Sequence, residues 1–160
     1  MNLIERFQAY ADDFELTFVD DDWTRFERYF TEGAVYLTQG PHGARAEGRH
    51  ALLEALRRAV LNFDRRCDSR TLETTRGPEQ IANQVHREWA YTFTRAAAPD
   101  LRISGSERAL YEGDRICLLE ERLTDESNLL FAQWLREHAV KLIPITASAA
   151  RRQGVGRPRI

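Results

Sequence analysis

The chain has 160 residues, enough for one domain with a sizeable core, and a formal net charge of −2, which gives no overall reason to expect nucleic acid as a partner. No apolar run approaches the roughly 20 residues of a membrane span, and Met1 leads straight into a charged helix, so neither a membrane span nor a signal peptide is expected. The two cysteines, Cys67 and Cys117, lack metal-ligand spacing and read as free thiols in a reducing cytoplasm.

Residues 3–18 place Leu3, Ile4, Phe7, Ala11, Phe14 and Phe18 at helical spacing, the stripe of a helix packed on one face. Asp20, Asp21 and Asp22 follow, and a short carboxylate there caps a second, short helix, whose buried side is Trp23, Phe26, Tyr29 and Phe30. Gly33 is expected to stop that helix. A strand is expected at 34–39, then a loop at Gly40-Pro41-His42-Gly43. Residues 49–65 read as a long helix with Leu52, Leu56, Ala59, Val60 and Phe63 on one side.

Four strands are expected next, near 67–75, 80–95, 101–112 and 114–123. Arg76-Gly77-Pro78 and 96–100 read as turns, and Glu112-Gly113-Asp114 as a tight hairpin. Thr124 to Ser127 can cap a last helix near 126–142, with Leu130, Trp134 and Leu135 apolar and Pro144 just beyond. Arg151, Arg152, Arg157 and Arg159 sit among glycines and a proline with no acid, as in a solvated basic tail. Three units follow: a pocket domain at 1–124, a helical extension at 125–143, and a disordered tail at 144–160. Helices first and strands afterwards define an α+β class with a mostly antiparallel sheet. A curved sheet wrapped on helices leaves a concave site of the kind that holds small molecules.

With Asp20-Asp21-Asp22-Trp23, the run Tyr29 to Tyr36, Gly48-Arg49, Trp89-Ala90-Tyr91 and Gly113-Asp114-Arg115-Ile116 in this order, the chain resembles the nuclear-transport-factor-2-like superfamily, in particular its SnoaL-like members. The resemblance spans roughly residues 3–124. It implies a cone of three helices and a bent sheet, often dimerised through the sheet's outer face. Family functions run from isomerases, cyclases, dehydratases and epoxide hydrolases to non-enzymatic binding, so the fold leaves function open.

Alternate strand residues face opposite sides of a sheet. One face of 101–111 holds Leu101, Ile103, Gly105, Glu107, Ala109 and Tyr111; one face of 85–93 holds Val85, Arg87, Trp89, Tyr91 and Phe93. Each is apolar apart from Glu107 or Arg87. In the last strand parity is ambiguous, since both faces carry aliphatics. The resemblance favours the Cys117, Leu119, Glu121, Leu123 face as inner, and Tyr36 and Thr38 as inner on the first strand. Ile116 and Leu118 then face outward with Leu110. Arg87, Glu107 and Glu121 are the candidate catalytic groups, and Phe14, Tyr36, Thr38, Trp89 and Tyr91 the candidate ligand-binding residues. A buried unpaired carboxylate costs several kcal/mol, so Arg87 is expected to pair with one of the two acids. A structural Arg–Glu pair and a proton-transfer or substrate-anchoring group both fit this set. Glu107 is the preferred acid–base candidate, because an apolar setting raises a carboxyl's pKa.

Two catalytic patterns of the resembled fold map imperfectly. In ketosteroid isomerases a first-helix tyrosine and a sheet carboxylic acid form the oxyanion hole, and a first-strand aspartate moves the proton. Those places fall on Phe14, Glu107 and Thr38, of which only Glu107 has suitable chemistry. In limonene-epoxide hydrolases an arginine lies between two aspartates; the places fall on Arg87, Trp89 and Glu121, leaving a two-part remnant. His42 reads as a loop residue at the cavity mouth, His50 and His138 as structural, and His86 as outward-facing. No metal site and no cofactor are expected, and no glycine loop opens a helix for phosphate. Two functions remain: a dimeric pocket protein for a small apolar or aromatic molecule, with or without isomerase, cyclase or lyase activity, and a non-enzymatic interaction or structural module.

Overall fold

The computed structural model describes residues 2–40 and 43–138. Helix α1 (Leu3–Asp20) begins on Asn2, whose side chain accepts from the Ile4 amide, and ends at Asp21 in the left-handed region (φ 61°). Its buried face is Leu3, Phe7, Tyr10, Ala11 and Thr17, with Phe14 and Phe18 half-buried. Asp22 caps the following turn, as expected, by accepting from the Thr24 amide at 3.1 Å. That turn is a 3-10 helix (Trp23–Arg28), and it stops before Gly33. Strand β1 (Phe30–Gln39) already starts at Phe30, which stands beside Ile116, so Gly33 lies inside a strand at a break in register.

Strand β2 (Ala44–Glu47), in a stretch between the expected loop and the expected helix where the sequence predicts no element, pairs antiparallel with β1. Helix α2 (Arg49–Asn62) buries Leu52, Leu56 and Val60, whereas Ala59 faces solvent. It ends three residues early, and a 3-10 turn (Asp64–Arg66) replaces its last residues. Strand β3 (Ser69–Ile81) then runs through Arg76-Gly77-Pro78 instead of turning there. Two register shifts in its pairing with β4 (Gln84–Thr94) absorb the glycine and proline, which an edge strand tolerates. Gly77 has φ +81°, and a Cβ there would meet the His86 carbonyl at 2.8 Å. The chain turns instead between Ile81 and Gln84.

Strands β5 (Leu101–Glu112) and β6 (Arg115–Leu123) complete a six-stranded sheet in the order β2-β1-β6-β5-β4-β3. Only β1 and β6 run parallel. Strict alternation of buried and partly exposed residues along β5 confirms its apolar face. In β6 the expected alternation breaks once. Leu110 opposes Leu118 and Tyr111 opposes Ile116, so Cys117 is an extra residue in a bulge. The bulge turns both Ile116 and Leu119 into the core, and corrects the expectation that Ile116 faces outward.

Helix α3 (Asp125–His138) opens on Thr124, whose hydroxyl accepts from the Ser127 amide at 3.1 Å. Its docking face is Phe131, Trp134 and Leu135, against Phe63, Phe93, Leu101 and Ile103. Leu130, expected in that stripe, is 43% exposed. Trp134 Nε1 donates to the Pro99 carbonyl at 2.9 Å, and Phe63 meets the Phe93 and Phe131 rings edge-on at 4.9 Å each. The helix therefore packs against β5, the Phe93 end of β4 and Phe63. His42, residues 139–142 of the expected helix, and the basic tail lie outside the described residues. No described helix is long and apolar enough to cross a membrane.

Candidate functional site

Register builds a polar row across the concave face of the sheet. Thr38 of β1 stands opposite Glu121 of β6, Glu121 opposite Glu107 of β5, and Glu107 opposite Arg87 of β4. Two carboxyls and one guanidinium thus stand side by side on an otherwise apolar wall.

The two acids are held differently. Glu107 is 2% exposed and Arg87 8%. Arg87 Nε donates to Glu107 Oε2 at 3.0 Å, and a terminal guanidinium nitrogen lies 2.8 Å from the same oxygen. The Tyr10 hydroxyl donates to Glu107 Oε1 at 3.4 Å, so both oxygens are engaged. Burial first, and then the Glu107 charge, hold the Tyr10 phenol well above its ordinary range. Arg87 also lies over the Phe7 ring at 5.2 Å, which fixes the guanidinium from the helix side.

Glu121 has no arginine at ion-pair distance among the described residues; Tyr36 Oη donates to its Oε2 at 2.7 Å. Burial, and then the charge of Glu107 opposite, push its carboxyl up to about 7, against the Tyr36 hydrogen bond and the Arg87 charge. Burial and Glu121 raise the Tyr36 phenol. Glu121 is surrounded deeply by protein yet keeps some accessible surface.

Trp89 and Tyr91 continue the inner face of β4, with ring centroids 4.9 Å apart. Gly105, opposite Trp89, makes room for the indole: a Cβ there would meet two atoms of its six-membered ring at 2.8 and 2.9 Å. The indole therefore leans over β5 toward β6, next to the Glu121 row. Phe14 approaches from α1, half-buried against Trp23 and Phe26. Thr38 closes the row, but its hydroxyl accepts from the Ala44 amide at 2.8 Å and is spent on the β1–β2 turn.

A second polar cluster lies nearer α3. Arg70, with 1% of its side chain exposed, meets Glu15 through two bonds of 2.8 and 2.9 Å, and Asp64 at 3.0 Å. It donates to the Tyr91 hydroxyl at 3.1 Å and stacks between Phe18 and Tyr91 at 4.6 and 4.7 Å. Burial raises the Asp64 carboxyl to about 6, with Arg70 pulling the other way.

Arg87, Glu107, Glu121 and Thr38 thus share one row, Tyr36 joins it through Glu121, and Trp89, Tyr91 and Phe14 border it. The tyrosine that reaches Glu107 is Tyr10, one helical turn before the Phe14 position given by spacing. Its signal was present, since Tyr10 extends the Leu3, Phe7, Phe14 series. Nothing local marked Arg70, Glu15 and Asp64, which come together from an edge strand, a helix and a turn. A separate open cleft of about 400 Å³ lies on the outer side, between Gln39, Gly40, Arg122, Asp125, Asn128 and Leu129. Gln39 and Arg122 alternate with Thr38 and Glu121, so this cleft faces away from the row.

No protein-family model and no curated relative matches the chain. Solved structures do. A Bacillus subtilis protein described as an isomerase matches with TM-score 0.61 at 18% identity, over 82% of this chain and 96% of that one. An epoxide hydrolase of Mycobacterium tuberculosis, described as LEH-like, matches with TM-score 0.57 at 14% identity, over 89% and 96%. A Catenulispora acidiphila protein with a ketosteroid isomerase-like fold, solved with trimethylamine, matches with TM-score 0.53 at 15% identity, over 69% and 82%. At such identities the likeness is one of fold. The chain shares its fold with these structures, the one with the ketosteroid isomerase-like fold among them.

Proposed function

We propose that the protein binds a small, largely apolar molecule over the Glu121 row, and that Glu121 moves a proton to or from it without a cofactor. Isomerases, cyclases and lyases do chemistry of this kind. The observation that carries the reading is the unequal treatment of the two acids. Glu107 is enclosed and ion-paired, and serves to fix Arg87 and Tyr10. Glu121 has accessible surface, a single hydrogen-bond donor in Tyr36, and a carboxyl raised to about 7, where an acid or base works near neutral pH. This moves the preferred acid–base role from Glu107 to Glu121. Epoxide opening is the weaker reading, because Arg87 is engaged with Glu107 and Trp89 offers no second carboxyl.

A thermal-shift screen of enolisable ketones, terpenoids and aromatics, followed by turnover assays on each stabilising compound, tests the proposal. Glu121→Gln should lower turnover about 100-fold or more while the fold persists. Unchanged turnover in that variant sinks the catalytic role; a ligand that binds and is never turned over leaves a binding protein.

We also propose that two copies pair through the outer sheet face. Leu110, Leu118 and Val35 lie in one register row on that face, across β5, β6 and β1. A cytoplasmic setting fits the two free cysteines.

A further inference from the structure

The row that holds Glu107 and Glu121 contains two carboxyls and one guanidinium, and Arg87 is committed to Glu107 on geometry. The remaining carboxyl, Glu121, is not alone in an apolar wall. Two aromatic side chains stand by it: Tyr36 bonds to it, and the Trp89 indole lies over Gly105 in the next row of the same face. Aromatic faces carry partial negative charge, and a carboxylate among them completes a receptor for a positive centre without N–H donors. We infer that the ligand of this pocket carries a small organic cation, an alkylated ammonium group on an apolar body, with Glu121 as its counter-ion.

An inorganic divalent ion fits less well. Such ions take six or more oxygen ligands or a compact set of nitrogen and sulfur donors, and no group of three acidic, histidine or cysteine side chains among the described residues is placed to hold one. An alkylated ammonium needs only a low-dielectric box and one charge.

The groups that act on Glu121 decide how binding depends on pH. Glu107 opposes its ionisation from β5, Asp64 does so from the turn after α2, and Tyr36 and Arg87 favour it. In the empty pocket the carboxyl keeps its proton into the neutral range. Binding of the cation leaves a carboxylate beside the ammonium and releases one proton to solvent. Affinity should therefore rise as pH increases through 7, and binding should be accompanied by proton release.

This inference rests on the reading that Glu121 lines an accessible pocket, and a matched pair of probes separates the two. Choline and 3,3-dimethylbutan-1-ol have the same shape and differ by the charge on one atom. In calorimetric titrations of the full chain at pH 8, choline should bind at least about tenfold more tightly. The preference should shrink at pH 6 and disappear in Glu121→Gln, with the melting temperature reporting that the variant is folded. Titration in two buffers of different ionisation heat should show proton release on choline binding. Equal or tighter binding of the neutral alcohol overturns the cation and leaves the pocket standing. A choline preference that persists in Glu121→Gln overturns Glu121 as the counter-ion. Binding of neither probe overturns the inference, and the thermal-shift screen of neutral compounds then decides the pocket by itself.

Discussion

Glu107 and Glu121 face each other across β5 and β6, and only Glu107 has an arginine. Like charges on paired strand positions repel, and the Glu107 charge adds to burial in raising the Glu121 carboxyl to about 7. Substitutions at the two positions should therefore have unlike effects. Glu107→Gln leaves Arg87 buried without its partner and should cost about 3–5 kcal/mol, measured by urea denaturation. It should also lower the titration midpoint of Glu121, read by NMR of labelled carboxyl carbons. A Glu107→Gln variant as stable as the parent would show that Arg87 finds another anion.

Stability should depend on pH through Glu121. Its folded-state pKa is raised from 4.5 to about 7, so the folded chain holds this proton more tightly than the unfolded chain does. The contribution is complete at low pH and is lost as pH rises toward 7, at most about 3 kcal/mol for a shift of this size. Asp64, raised from 3.8 to about 6, acts in the same direction. Glu121→Gln should accordingly gain melting temperature over the parent at pH 8 and lose that advantage at pH 5. A constant difference between the two pH values would contradict the raised pKa.

Gly105 should not tolerate a side chain. An alanine Cβ would collide with the Arg122 carbonyl and lie 2.8 Å from the Trp89 ring, and the carbonyl belongs to a paired strand that cannot move cheaply. Gly105→Ala should cost on the order of 1–3 kcal/mol and shift tryptophan emission as the indole is displaced. Parent-like stability and emission would show that the indole has room elsewhere.

Helix α3 should be integral to the fold. Trp134 is buried among Phe63, Phe93, Leu101 and Ile103, and its indole nitrogen is hydrogen-bonded. Trp134→Ala should cost about 3–5 kcal/mol, and truncation after Thr124 should lower the melting temperature clearly. An unchanged melt after truncation would mean that the Phe63, Phe93 and Ile103 surface is stable when wet.

Sedimentation equilibrium at micromolar concentration should return twice the chain mass. Charge substitution of Leu118 should reduce it to one chain, since Leu118 is central in the Leu110–Leu118–Val35 row. A single-chain mass for the parent would place that row in solvent.

Local chemistry by itself determined the order of helices and strands apart from β2, the Asp22 and Thr124 caps, and the buried faces of β4 and β5. Each follows from side-chain period or from a capping oxygen a few residues away, both written within one segment. Arg87 and Glu107 were legible for the same reason: each is the one charge on an apolar strand face. Only the tertiary structure decided which acid Arg87 takes, because that depends on Glu107 and Arg87 being register partners while Glu121 lies one strand further on. The Cys117 bulge, the strand running through Gly77-Pro78, the Tyr10 bond to Glu107 and the Arg70 cluster were also decided there. In each, the stabilising partner comes from another element, and a pairing energy shared between distant segments leaves no period in either of them.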